Sequence, residues 1–196
     1  VEEYKKIKKP IVAFDRYLGE DIPVVTVDHK EGGRLAAEIL LKNGCKKIVH
    51  FRGATAVESP YHERHFEFAR IMKEQGVEAW NKFDLEYYKY AVKDLFDRLD
   101  EWEFDGIFGT DLVAIECMNE VIRRHKKVPK DVKCVAYDGT YITQIVEPSV
   151  TSIVQPIKEL AKEAARLICE LVNGKTYKNE KVTLGVSVRK GRTTME

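Results

Sequence analysis

Residues 105–138, DGIFGTDLVAIECMNEVIRRHKKVPKDVKCVAYD, constrain the fold more than any other stretch, because they spell one complete strand, helix, strand crossover. The apolar run 106–109 reads as a short buried strand that stops at Thr110-Asp111, where Asp111 is placed to cap the next helix by accepting from its free amides. Ala114, Ile115, Met118, Val121 and Ile122 recur three or four residues apart, the spacing of one buried helix face. Arg123, Arg124, His125, Lys126 and Lys127 fall in or just past the last turn, where cations oppose the negative end of the helix dipole, and Pro129 blocks continuation. That basic run is therefore a solvated helix end rather than a nucleic-acid contact. Residues 132–137 are apolar at nearly every position, as a central parallel strand covered on both faces must be. A parallel crossover puts both strand carboxyl ends on one edge, the edge at which open α/β sheets bind ligands, and Asp111 and Asp138 stand there.

The same grammar runs through the chain and gives an α/β class. Residues 10–14 form a strand ended by Asp15-Arg16, and residues 24–27 a second, ended by Asp28 before a helix over 31–43 with Gly44 as its stop. A strand at 48–51 leads through an irregular loop into a helix over 62–75, closed by Gly76, whose first turn carries Arg64 toward the crevice. Residues 77–80 read as a short strand. Phe83 then sits in the loop before a helix over 86–99, whose Tyr87, Tyr88, Ala91, Leu95 and Leu99 form a packing stripe. After the loop 139–148 come a strand at 150–154, Gln155-Pro156, a helix over 157–173 and one alternating edge strand over 182–188.

Composition removes several functions. A net charge of +1 gives no general attraction to nucleic acid or to an acidic membrane, so any DNA contact belongs to another part of the protein. Cys45, Cys117, Cys134 and Cys169 are far apart with no C-x-x-C pair, and read as reduced thiols of a cytoplasmic protein. No apolar run reaches membrane-spanning length and no signal peptide is present; the opening on Val1, in a charged helix-like stretch, predicts that the natural N-terminus lies upstream. The glycine-rich nucleotide loops and the serine elbow are missing, so no cofactor is expected. His62, Glu63 and His65 approach the zinc-helix pattern H-E-x-x-H but are one residue short with no third ligand, so no metal is expected and they read as helix-entry residues. Asp111 and Asp138 could be imagined as an acid/base pair, but a helix cap and a strand-end acceptor account for them, and no catalytic residue is assigned. A binding cleft uses them better: Asp138 accepts from hydroxyls or ring N–H groups, Arg64 offers a fork of donors, and Phe83 a stacking face, a set suited to a sugar or nucleobase.

Ordered segments carry a resemblance. They are Phe14-Asp15-Arg16-Tyr17, Val27-Asp28, Glu31-Gly32-Gly33-Arg34-Leu35-Ala36, Asn43-Gly44-Cys45-Lys46-Lys47-Ile48, residues 64–68 and 105–111, Val128-Pro129-Lys130-Asp131-Val132, Ala136-Tyr137-Asp138, residues 151–156, and the ending 188–194. Together, from Pro10 onward, these segments are similar to the effector-binding core of the LacI/GalR family of bacterial transcription regulators. The resemblance implies a two-lobed periplasmic-binding-protein-like fold of doubly wound parallel sheets, whose first lobe is incomplete here. Residues 1–29 would end that lobe, 30–155 form the second, 156–176 return a helix to the first, and 177–196 supply the second lobe's final strand and tail. It implies a homodimer that binds a small effector, sugar or purine-like, between its lobes and contacts operator DNA only through a helix-turn-helix headpiece outside this chain. Arg64, Phe83, Thr110, Asp111 and Asp138 match effector-pocket positions, and Asp28 and Gln155 the crossings between lobes. Glu67 and Gly139 depart from the family pattern, as do Tyr87-Tyr88-Lys89-Tyr90. A periplasmic or surface sugar receptor is the alternative, and an enzyme on the same sheet a third reading.

Overall fold

The computed structural model describes residues 6–51, 60–82, 92, 97 and 103–195. Their strands form two sheets. The smaller, in the order β1-β2-β8, is all parallel and consists of β1 (Ala13–Phe14), β2 (Val24–Val27) and β8 (Lys181–Leu184). The larger has the order β4-β3-β5-β6-β7-β9, from β3 (Lys47–Phe51), β4 (Glu78–Lys82), β5 (Gly106–Thr110), β6 (Lys133–Asp138), β7 (Thr151–Val154) and β9 (Ser187–Arg189). Only β9 runs antiparallel, at the edge beside β7. The helices are α1 (His29–Lys42), α2 (His62–Glu74), α3 (Asp111–Arg123), the short α4 (Ile142–Ile145) and α5 (Ile157–Val172).

The larger sheet is covered on both faces, and its sequence pattern shows why. Alternate side chains of a strand point to opposite faces, so an unbroken apolar run feeds two cores at once. On one face Val49, Phe51, Ile107, Cys134 and Ala136 pack against Val113, Ala114, Cys117, Met118 and Val121 of α3. On the other, Ile48, Phe108, Val135, Tyr137 and Ile153 pack against Ala36, Ala37 and Leu40 of α1 and Phe68 and Met72 of α2. A third, smaller core joins Val25 and Val27 of β2 to Leu160 and Leu167 of α5. This is the expected doubly wound architecture with parallel sheets.

Several boundaries differ for physical reasons. The strand expected over 10–14 pairs only at Ala13 and Phe14. The helix expected from residue 31 begins at His29 because Asp28 caps it, accepting from the Glu31 amide at 2.8 Å. Asp111 is not a cap: Thr110 holds that position without a side-chain bond, and Asp111 is the first helical residue. Ile122, expected on the buried face of α3, is 39% exposed, while Val113 and Cys117 are buried there instead. The single strand expected over 182–188 is two strands in two sheets, broken at Gly185 and Val186, so the chain rejoins the larger sheet after Leu184 and not at residue 177. The helix expected over 86–99 falls largely outside the described residues, as does the loop 52–59.

The tail is sewn into the larger sheet. Cys134 and Thr193 exchange two hydrogen bonds, from the Cys134 amide to the Thr193 carbonyl at 3.0 Å and from Thr193 Oγ1 to the Cys134 carbonyl at 2.6 Å. The Thr151 amide donates to the same Thr193 hydroxyl at 2.9 Å, and the Thr151 and Thr194 hydroxyls meet at 2.8 Å. None of the described helices is long and apolar enough to cross a membrane.

Candidate ligand-binding site

Strand order reverses between β3 and β5, since β4 lies on one side of β3 and β5, β6 and β7 on the other. Ligands of open α/β sheets bind beyond the strand carboxyl ends at such a switch point. Two of the sequence-predicted residues meet there. Arg64, in the first turn of α2, is buried and lays its guanidinium over the Tyr137 ring, 4.2 Å from the centroid. Its Nη1 lies 3.9 Å from Asp138 Oδ1, at the carboxyl end of β6. Behind it, Nε donates to His65 Nε2 at 3.3 Å, and His65 Nδ1 is 2.7 Å from His50 Nε2 on β3. The fork is thus held by a stacked ring, an imidazole and a carboxylate, with its position fixed before any ligand arrives.

A close approach of α1 makes this possible. A Cβ on Gly33 would stand 2.1 Å from the Arg64 carbonyl oxygen, and one on Gly32 2.6 Å from Tyr137 Cε2. Two adjacent glycines let α1 lie directly against the backbone that carries Arg64 and the ring it stacks on.

Asp138 has a φ of 112°, a region that L side chains rarely occupy, and such strain gathers at functional sites. Gln155 holds it from the next strand end, with Nε2 donating to Asp138 Oδ1 at 2.8 Å and its amide to the Asp138 carbonyl at 3.2 Å. Burial raises the Asp138 carboxyl above the ordinary aspartate range, the neighbouring Asp111 charge adds to the rise, and Arg64 and Gln155 oppose it. The carboxylate is half-buried, so it can still meet a ligand.

The smaller sheet contributes the opposite side. Asp15, just past β1, accepts from Thr26 Oγ1 at 2.6 Å and from His29 Nε2 at 3.1 Å, and His29 Nδ1 is 3.1 Å from the Tyr137 hydroxyl. Burial acts to raise the Asp15 carboxyl, but the His29 and Thr26 hydrogen bonds outweigh it and leave it below the usual range. Burial pushes the Tyr137 phenol up, so it remains an O–H donor. Asp15, His29, Tyr137, Arg64 and Asp138 therefore form one connected polar chain running from one sheet to the other.

Thr110 and Asp111 do not join this chain of contacts. Thr110 ends β5 beside Asp111. The carboxylate of Asp111, buried, is taken by the loop after β6, accepting from the Thr140 amide and hydroxyl, both at 2.6 Å, and from the Gly139 amide at 3.2 Å. Phe83 lies outside the described residues. Asp28 lies between β2 of the smaller sheet and α1, Gln155 between β7 of the larger sheet and α5, and Gly185 between β8 and β9, a passage between sheets that the sequence reading ran straight through. Asp15, His29 and the two glycines were also missed. Asp15 had a signal, being another aspartate at a strand end, and so did Gly32-Gly33, a pair of poor helix formers inside a helix; His29 had none.

A family model described as a periplasmic binding protein-like domain matches residues 21–194. The chain belongs to that family. The curated relatives of this periplasmic-binding-protein-like chain include a ribose operon repressor of Halalkalibacterium halodurans, 33% identical over 91% of the chain and 55% of the relative. A sucrose operon repressor of Streptococcus mutans is 32% identical over 82% of the chain and 50% of the relative. The chain thus spans about half the length of the curated relatives it matches. Among solved structures, a periplasmic binding protein/LacI transcriptional regulator from Alkaliphilus metalliredigens, in complex with D-xylulofuranose, superposes with a TM-score of 0.83 at 26% identity, covering 100% of this chain and 74% of that one. The resemblance to the effector-binding core of LacI-type regulators is borne out by these relatives.

Proposed function

We propose that this chain is the effector-binding core of a LacI/GalR-type transcriptional regulator. It takes a small polar ligand, of the sugar class first and the nucleobase class second, into the cleft between its sheets. The observation that carries the reading is the prepositioned Arg64 fork beside a half-buried Asp138 at the switch point, with Asp15 of the smaller sheet joined to it through His29 of α1 and Tyr137. A sugar hydroxyl can donate to Asp138 while its neighbour accepts from Arg64, a pairing that a fork and a carboxylate make at two adjacent oxygens. Thr110 and Phe83 complete the pocket in this reading, with Phe83 as the stacking face.

Ligand binding changes the angle between the lobes at the crossings Asp28, Gln155 and Gly185, and that change controls how a headpiece outside this chain meets operator DNA. Names of sugar-operon repressors among the relatives support a cytoplasmic regulator over a periplasmic or surface receptor and over an enzyme. A homodimer fits the surface. Leu112 at the start of α3, Tyr141 before α4 and Ile145 at its end are 62%, 71% and 60% exposed, apolar side chains that a partner protomer could cover.

The test is an electrophoretic shift of the whole gene product on the DNA upstream of its own gene, with and without D-ribose, sucrose and D-xylulose. The reading expects a sequence-selective shift that one of these ligands alters. A product that carries a secretion signal and shifts no DNA would leave the receptor reading standing.

A further inference from the structure

The loop after β6 is gripped from two sides by groups that no ligand needs to touch. From below, Asp111 accepts from the Gly139 and Thr140 amides and from the Thr140 hydroxyl, at 3.2, 2.6 and 2.6 Å. From the edge strand, Arg189 Nη2 donates to the Gly139 carbonyl at 3.0 Å, the Thr140 carbonyl at 3.2 Å and Thr143 Oγ1 at 2.6 Å. The donors and acceptors of the same two peptide groups are thus claimed by opposite charges. The residue immediately before them, Asp138, is the one held at a φ of 112°. Gly139 follows at 69°, and a Cβ there would meet the Val154 Cα at 2.7 Å, so β7 presses on the turn as well. An L residue keeps such a conformation only where its surroundings over-determine it. Left alone, the turn would relax and swing the Asp138 carboxylate away from Arg64.

We infer that Asp111 and Arg189 are positioning residues that clamp the 139–143 loop and so hold the strained Asp138 with its carboxylate aimed at the ligand cleft. This rests on the reading of Asp138 as a ligand acceptor, and it moves Asp111 from the ligand's contacts to the loop's. Because β9 carries Arg189, the clamp also makes the geometry of the cleft depend on the strand that follows the Gly185 crossing.

Two measurements test it, and the first needs no ligand. Amide hydrogen exchange followed by NMR in Arg189→Ala should show the amides of residues 139–145 exchanging at least tenfold faster, with β5 and α2 unchanged. Thr143→Val, which removes one hydroxyl of the clamp and keeps the volume, should do the same to a smaller extent and covers the case in which Arg189→Ala fails to fold. Unchanged loop exchange in both variants overturns the clamp. The second measurement is calorimetry of D-ribose and D-xylulose binding to the whole gene product. There Arg189→Ala should weaken binding at least tenfold, and should add nothing further once Asp138→Asn is present. A wild-type protein that binds neither sugar would count against these two as ligands of the cleft and leave the exchange experiment to decide the clamp on its own.

Discussion

Burial acts to raise both Asp15 and Asp138, yet their net shifts are opposite because their partners differ. Asp15 receives hydrogen bonds from a hydroxyl and an imidazole, which favour its anion; Asp138 has Asp111 as a neighbour and is held mainly by one amide and a distant guanidinium. A folded-state pKa below 3.8 means that the Asp15 contribution to stability is complete above that pH and is lost as the pH falls through the depressed value. A folded-state pKa above 3.8 has the reverse sign: the unfolded chain ionises first, so the Asp138 contribution falls as the pH rises from 3.8 until its own carboxyl has ionised. Asp15→Asn, which keeps the shape and removes the charge, should cost about 1–3 kcal/mol in urea unfolding near neutral pH, the scale of buried hydrogen bonds to a charged group. A loss within a few tenths of a kcal/mol would show that the link between sheets contributes little. Ligand affinity should fall on acidification starting above the ordinary aspartate range, because the Asp138 anion accepts from a hydroxyl more strongly than the neutral acid does. In Asp138→Asn the affinity should be low and flat over the same range, which calorimetry at several pH values reads directly.

At the scale of elements, the helices and strands of the larger sheet were legible because two periodicities are written plainly: apolar runs for strands buried on both faces, and three-or-four spacing for helices buried on one. What was not legible depended on contacts across the chain. Nothing local says that the alternation over 182–188 is shared between two sheets; only Gly185, which weakens a strand from within, hinted at the break. Asp111 looked like a cap because an aspartate before an apolar helix normally is one, yet its carboxylate was claimed by amides 28 and 29 residues later in the chain. Arg64 and Asp138 were legible from their places at a helix start and a strand end, while their support by His65, Tyr137 and Gln155 was not. The Gly32-Gly33 contact yields a prediction at this scale. Gly33→Ala should destabilise the protein by about 1–3 kcal/mol or more, as overpacking does, by pushing α1 off the Arg64 backbone. Ligand binding should weaken along with it, whereas Gly44→Ala, where a Cβ meets nothing, should leave the packing of α1 on α2 intact and cost only the strain of its positive φ. A Gly33→Ala protein as stable as the wild type would mean that α1 can shift without penalty.

For the whole molecule, the polar chain from Asp15 through His29 and Tyr137 to Arg64 and Asp138 ties the two sheets at the place where a ligand would sit. A ligand can bias the angle between lobes only through contacts that differ between the open and closed states, and in the proposed reading these residues, which link the two sheets, are where such differences would arise. The exposed Leu112, Tyr141 and Ile145 belong to this scale too. Tyr141→Glu together with Ile145→Glu should shift the whole gene product from dimer to monomer in sedimentation, and an unchanged dimer would place the interface elsewhere. The central claim is that Arg64 and Asp138 together grip a small polar molecule between the sheets, and calorimetry of the whole gene product against D-ribose, D-xylulose, sucrose and purine bases tests it most directly. One of these should bind saturably, and Arg64→Ala and Asp138→Asn should each weaken it by about 10- to 150-fold, the equivalent of about 1.5–3 kcal/mol for a hydrogen bond to a charged group. Binding of the same ligand with unchanged affinity in both folded variants would contradict the account.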